Sequence, residues 1–152
     1  MGAALRMLFR RDLSEGEIRE RLGKKGFPPA ECSAAIRRMG ELGLVDDPKL
    51  CARLVRLYRE TRGYGSAKIA WALRARGFAA DLVERTLREC SSEEEELAAA
   101  SAALRRKFRG GLPPGRDGAA RAYRFLAGRG FPPGTCRKAI GGHSSDILEG
   151  EG

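Results

Sequence analysis

One phrase of apolar and polar residues is written three times along the chain. Leu22-Gly23-Lys24-Lys25-Gly26-Phe27, Leu73-Arg74-Ala75-Arg76-Gly77-Phe78 and Leu126-Ala127-Gly128-Arg129-Gly130-Phe131 each run Leu, three residues, Gly, Phe; the glycines before the Phe stand 51 and then 53 residues apart. The register continues on both sides. Four residues before each Leu lie Ile18, Ile69 and Ala122, and five and nine residues after each Phe lie Cys32 and Ile36, Val83 and Leu87, Cys136 and Ile140. Apolar positions four apart mark one face of a helix, so each copy predicts a helix before the Gly and a second helix after the Phe. The Gly stands four residues beyond the last apolar position of the first helix. A residue of positive φ ends a helix there at little steric cost, and the Phe can then fold back on the core. Pro28-Pro29 and Pro132-Pro133 suit an extended approach and the first turn of the next helix, where a missing N–H costs nothing.

A third helix per unit is predicted in the first two copies. Asp46-Asp47-Pro48 offers an N-cap and an N1 proline, after which Leu50, Leu54, Leu57 and Tyr58 share a face that runs to about Arg62. Ser92 and Glu95 fit a capping box ahead of Leu97, Ala100 and Leu104, and Ser14 and Glu17 fit one ahead of Ile18. The acidic run at 93–96 reads as a dipole-compatible helix start. The segment RGGLPPGRDG at 109–118 breaks the periodicity, and GGHSSDILEGEG after Ile140 carries too little of it to predict a helix. The expected fold is therefore all-α: a tandem array of three-helix repeats, about eight or nine helices in all, elongated and solenoid-like. Residues 1–45 hold the first two helices of the first repeat and 46–62 its third; 63–109 form the second repeat, 110–118 a linker, 119–141 a third repeat truncated to a helical hairpin, and 142–152 a tail.

Composition supports helices over strands. Eight Ile and Val and three Thr leave β-branched residues scarce, while Ala, Leu, Arg and Glu fill the segments between Gly and Pro. No apolar run approaches the roughly 18 residues of a membrane span, and the opening MGAALRMLFRRD is unlike a secretory signal, so a cytoplasmic chain without membrane contact is expected. Cys32, Cys51, Cys90 and Cys136 make no C-x-x-C pair and have only His143 as a nitrogen companion; buried free thiols are expected, and no metal or other cofactor. Asp46 and Asp47 are adjacent and precede Pro48, which places them in a cap rather than on two sides of a reacting bond. No Ser–His–Asp, Cys–His or phosphate-loop arrangement is present, and no enzyme activity is expected.

Four runs, RRDLSEGEIRERLGKKGF at 10–27, LGLVDD at 42–47, RGYGSAKIAWALRARGF at 62–78 and AARAYRFLAGRGF at 119–131, resemble in this order the RecX regulatory proteins of bacteria. The resemblance covers about residues 4–140. It implies tandem three-helix units and a non-enzymatic modulator of RecA, the recombinase that polymerises on single-stranded DNA. Such a protein lodges in the groove of the RecA filament and inhibits strand exchange, ATP hydrolysis and co-protease action, within homologous recombination, DNA repair and the SOS response.

The charge pattern names candidate contacts. Net charge is +9, and 23 of the 29 basic residues are Arg, whose planar fork suits phosphate and carboxylate. Along 47–62, Arg53, Arg56, Arg59 and Arg62 sweep the face opposite Leu50, Leu54 and Leu57 and are expected to point outward, either to meet acidic RecA surface or DNA phosphate or simply as a solvated face. Residues 105–138 carry ten basic side chains against one acid, Asp117. Arg105, Arg106, Lys107, Arg109, Arg116, Arg121, Arg124 and Arg129, with Tyr123 among them, track a nucleic-acid backbone or serve solubility. Lys68 and Arg74 complete the candidates. Trp71, Tyr123 and Phe125 lie near Leu73 and Leu126 and are expected in the core. The expected partners are the RecA filament and single-stranded DNA, directly or within the filament, bound by a monomer whose repeated basic units add modest contacts along a polymer. The competing reading is a basic helical DNA reader without a RecA target; the chain has neither Asn nor Gln, which removes the usual adenine contacts.

Overall fold

A computed structural model describes residues 2–8 and 11–150, with side chains at 2–6 and 11–143. The described residues form nine helices and no strand: α1 (Gly2–Leu8), α2 (Glu15–Lys24), α3 (Pro29–Glu41), α4 (Asp47–Arg62), α5 (Ser66–Ala75), α6 (Ala80–Cys90), α7 (Glu93–Lys107), α8 (Gly115–Gly128) and α9 (Pro133–Gly150). The three Leu-to-Phe phrases become the α2–α3, α5–α6 and α8–α9 corners, and all three close alike. Phe27, Phe78 and Phe131 each donate an N–H to the Leu carbonyl five residues back at 3.2 Å, and Gly26, Gly77 and Gly130 each donate to the carbonyl three back at 3.0 Å. The glycines have φ of 93°, 84° and 90°, so the repeated Gly is a helix stop that only a residue without Cβ adopts cheaply. Cys32 and Cys136 reach back to the Phe27 and Phe131 carbonyls at 3.6 and 3.5 Å.

The chain divides into two compact units, residues 1–54 with 72–86 and residues 55–71 with 87–152. In the first, Ala4, Leu13, Ile18, Leu22, Cys32, Ile36, Met39 and Val45 form a buried cluster from α1, α2, α3 and their connections. The start of α2 also presses on the α5–α6 corner. Ser14 Oγ donates to the Arg76 carbonyl, and a Cβ on Gly16 would overlap the Gly77 backbone. In the second unit α7, α8 and α9 share a core of Ala100, Ala103, Leu104, Ala122, Leu126, Phe131, Cys136 and Ala139. There the start of α5 presses in the same manner on the α8–α9 corner: Gly65 N–H donates to the Arg129 carbonyl at 2.7 Å and Ala67 N–H to the Gly130 carbonyl at 3.1 Å. At Gly77 and Gly130 the repeated Gly is thus a point of close backbone approach as well as a helix stop.

Several expectations change. Phe78 and Phe131 are buried, whereas Phe27 is 41% exposed, and among the described residues nothing lies within 4 Å of a Cβ built on Gly26. Trp71 is 66% exposed, because it stands two residues from both Ile69 and Leu73, the buried pair of α5, and so on the opposite side. Leu57 is exposed as well. The inward stripe of α4 is Cys51, Leu54, Val55 and Tyr58, and Leu57 falls at its margin. Helix α8 begins at Gly115, inside the expected linker, with buried Gly118 letting the Pro113 backbone approach so closely that a Cβ would overlap it. Helix α9 continues through the Gly141-Gly142 pair to Gly150, and His143, expected in a tail, is buried on it.

Candidate partner and nucleic-acid interface

Two carboxylates at the starts of α4 and α7 do the same job. Asp47, the first residue of α4, accepts the Glu15 N–H at 3.0 Å, and Glu96, in the first turn of α7, accepts the Ser66 N–H at 2.9 Å; each caps the start of the preceding helical hairpin. Their electrostatics differ. Glu96 is buried with Arg59, whose guanidinium donates to it at 2.7 Å, to Ser91 at 2.6 Å and to Ser66 at 3.1 Å. Arg59 therefore faces inward as a counter-ion and is not part of an exposed basic face. Among the described residues no cation forms a salt bridge with Asp47. Burial pushes its carboxyl up to about 6, the charges of Glu15, Glu17 and Asp46 add to that, and the Glu15 N–H offsets part of it. Asp46 is the N-cap itself, accepting from Lys49 N–H at 3.1 Å, so Asp47 and not Pro48 is N1. Glu17 shows the opposite balance. Burial raises it, but hydrogen bonds from Arg76 and Ser14 and the charges of Arg76 and Arg11 outweigh that and hold its pKa below the usual carboxylate range.

Asp47→Asn keeps the acceptor for Glu15 and removes the charge. A folded pKa above the unfolded ~3.9 means that this group's contribution is fully present below about pH 4 and is lost as pH rises through about 6. Urea unfolding from pH 4 to 7.5 will find the variant more stable by on the order of 1 kcal/mol at neutral pH, with the difference vanishing toward pH 4; solvent on the open side and the α4 dipole keep the effect small. A variant less stable at pH 7 than at pH 4, relative to the parent, contradicts this.

The other basic candidates divide between the units. In the first, Arg53 is exposed and pairs with Asp12, and Arg74 is exposed. In the second, Arg56, Arg105, Arg109, Arg121 and Arg124 are exposed, Arg129 is half-buried, and Lys68 lies 4.8 Å over the Tyr64 ring. Four candidates converge there. Arg62, Arg106, Lys107 and Arg129, with Thr61, Gly63, Ala103 and Phe125, line a cleft of about 310 Å³. The Arg62 guanidinium sits 4.5 Å over Tyr58, and Arg129 and Lys107 sit 5.2 and 5.9 Å from the centre of the Phe125 ring. Arg129 also donates to the Arg62 carbonyl at 2.5 Å. Among the described residues none of these four cations is ion-paired. Phe125 and Tyr123 do pack against the α7–α9 core, as their spacing suggests.

No group of three or more His, Cys, Asp or Glu among the described residues is placed to hold a metal. Cys32, Cys51 and Cys136 are buried thiols and Cys90 is a half-buried one. No helix among the described residues is long and apolar enough to cross a membrane.

The helix order, the three corners and this basic second unit can be compared with known proteins. Family descriptions match at both ends: "RecX, first three-helix domain" over residues 1–39 and "RecX, third three-helix domain" over 93–140. The regulatory protein RecX of Halorhodospira halophila is 34% identical over 148 residues, 97% of this chain and 90% of the relative. The chain belongs to the RecX family. The RecX of Thermus thermophilus is 37% identical over 138 residues, 90% of this chain and 86% of that protein. The crystal structure of RecX from Lactobacillus salivarius has the same fold at 18% identity, with a TM-score of 0.82 over 94% of this chain and 93% of that one. The third RecX domain, at 93–140, joins α7 to α8 and α9, the helices that share the core around Leu104 and Leu126. Arg106, Lys107, Phe125 and Arg129 all come from it, and Arg62 joins them from the end of α4.

Sequence reasoning picks out the four cations but not their meeting place. Arg62 lies 67 residues from Arg129, and no local period links them. The one signal along the chain is the Arg62-Gly63-Tyr64-Gly65 turn, where Gly63, at φ 63°, carries the backbone past Ala103.

Proposed function

We propose that this chain binds RecA and RecA–single-stranded-DNA filaments and modulates them stoichiometrically, typically inhibiting recombinase, ATPase and co-protease activity, without chemistry of its own. The observation that carries this reading is the match over 97% of the chain to a regulatory protein RecX. Exposed basic side chains in both units, Arg74 in one and Arg62, Arg106, Lys107, Arg121 and Arg124 in the other, support a polyanionic or acidic partner. A regulator of this kind shifts a filament only by binding one of its states more tightly than another.

RecA ATPase on single-stranded DNA, with the protein titrated in below one copy per RecA, is expected to slow. A salt series against filaments, naked single strands and duplex is expected to rank the filament first. No slowing at any ratio, or strong sequence-selective duplex binding, favours the basic DNA reader instead.

A further inference from the structure

Four cations at one cleft without a carboxylate repel one another, and a fold tolerates this where an anion is to be received. Here three of the four cations are also held in place. Arg62 is laid over Tyr58 at 4.5 Å, Lys107 and Arg129 over Phe125 at 5.9 and 5.2 Å, and Arg129 is tied to the Arg62 carbonyl. Aromatic faces position these groups without neutralising them, so less side-chain freedom is lost when an anion binds.

We infer that this cleft is a phosphate-binding site for single-stranded nucleic acid, with Arg62, Arg106, Lys107 and Arg129 around the backbone. The inference deepens the filament reading and rests on it for the choice of polymer. Three observations select the ligand. Three of the four cations are guanidinium forks, which match the paired oxygens of a phosphodiester. The volume, about 310 Å³, lies at the lower end for small-ligand pockets and suits one nucleotide unit. The wall between the cations is small or apolar, with Gly63, Ala103 and Phe125 offering a surface for a sugar. A strand delivers one charge per nucleotide at fixed close spacing along one edge, as a dense set of cations requires; an acidic peptide spreads its carboxylates to alternate sides.

The test is fluorescence anisotropy of a labelled oligothymidylate with the full chain, with Arg106→Ala/Lys107→Ala, and with Arg19→Ala/Arg37→Ala, which removes equal charge from exposed sites on α2 and α3. The cleft variant is expected to bind about 10- to 100-fold more weakly, and its log K against log salt slope to flatten by ~0.7 for each phosphate it no longer neutralises. The control is expected to change less than about threefold, with all three proteins melting alike by circular dichroism. Equal weakening in cleft and control variants overturns the site. So does polyglutamate that competes as well as the oligonucleotide and depends equally on Arg106 and Lys107. RecA ATPase run on the same proteins separates the two readings. Slowing by parent and cleft variant alike, with unchanged oligonucleotide binding, removes the cleft and leaves the filament; no slowing by the parent, with oligonucleotide binding still dependent on the cleft, removes the filament and leaves the cleft.

Discussion

Gly130→Ala will destabilise the protein by about 3–4 kcal/mol, while the same change at Gly26 will cost about 1–2 kcal/mol. Both glycines have the same handedness, φ 90° and 93°, so the conformational penalty of a Cβ is common to them. They differ in what the Cβ meets. At Gly130 it would overlap the Lys68 backbone nitrogen, and a Cβ on Gly65, at the facing helix start, would come within 2.5 Å of the Gly130 carbonyl carbon. Backbone on both sides cannot swing aside as a flexible side chain can, so relief means withdrawing α5 and breaking the Gly65 and Ala67 hydrogen bonds. At Gly26 the space is open. Urea unfolding of the two variants side by side is the measurement, and equal destabilisation would show that helix termination alone explains the repeated Gly.

Arg59→Met is the second large effect, expected at about 3–5 kcal/mol because it leaves Glu96 buried without its counter-ion. The side chains are 11% and 7% exposed, so water does little to screen the stranded charge. Adding Glu96→Gln to Arg59→Met keeps an acceptor for the Ser66 N–H and removes that charge; the double variant is expected to recover on the order of 2 kcal/mol. A double variant worse than Arg59→Met would mean that hydrogen-bond geometry, not charge, holds α5, α7 and α4 together there. By contrast Arg53, paired with Asp12 with both side chains 63% exposed, carries little stability.

The corners, caps and most helix bounds are legible along the chain because their chemistry is local. A Gly stop and the Phe N–H to Leu carbonyl bond span five residues, and the Ser14–Glu17 and Ser92–Glu95 caps span three. Spacing also places Ile18, Ile69 and Ala122 inside, and all three are fully buried. The same reasoning misplaces Trp71, since nearness in sequence to Leu73 is not a shared helix face, and it misplaces Arg59, since a basic residue on the polar side of a helix reads the same whether water or Glu96 waits there. The α9 helix beyond Ile140 eludes it too: Gly141 and Gly142 lower local helix preference, and burial of His143 is a fact of packing.

From residues alone come an all-helical repeat, its three hinges and its positive charge, because periodicity, capping and composition act over a few positions. Folding in three dimensions chose which corners are pressed by a helix start and which is left open, turned one arginine of a row inward, and drew Arg62 to Arg106, Lys107 and Arg129 around one cleft. Those outcomes depend on groups 37 to 67 residues apart meeting at close range, as Arg59 meets Glu96 and Arg129 meets the Arg62 carbonyl, and no pattern within a single helix encodes such a meeting.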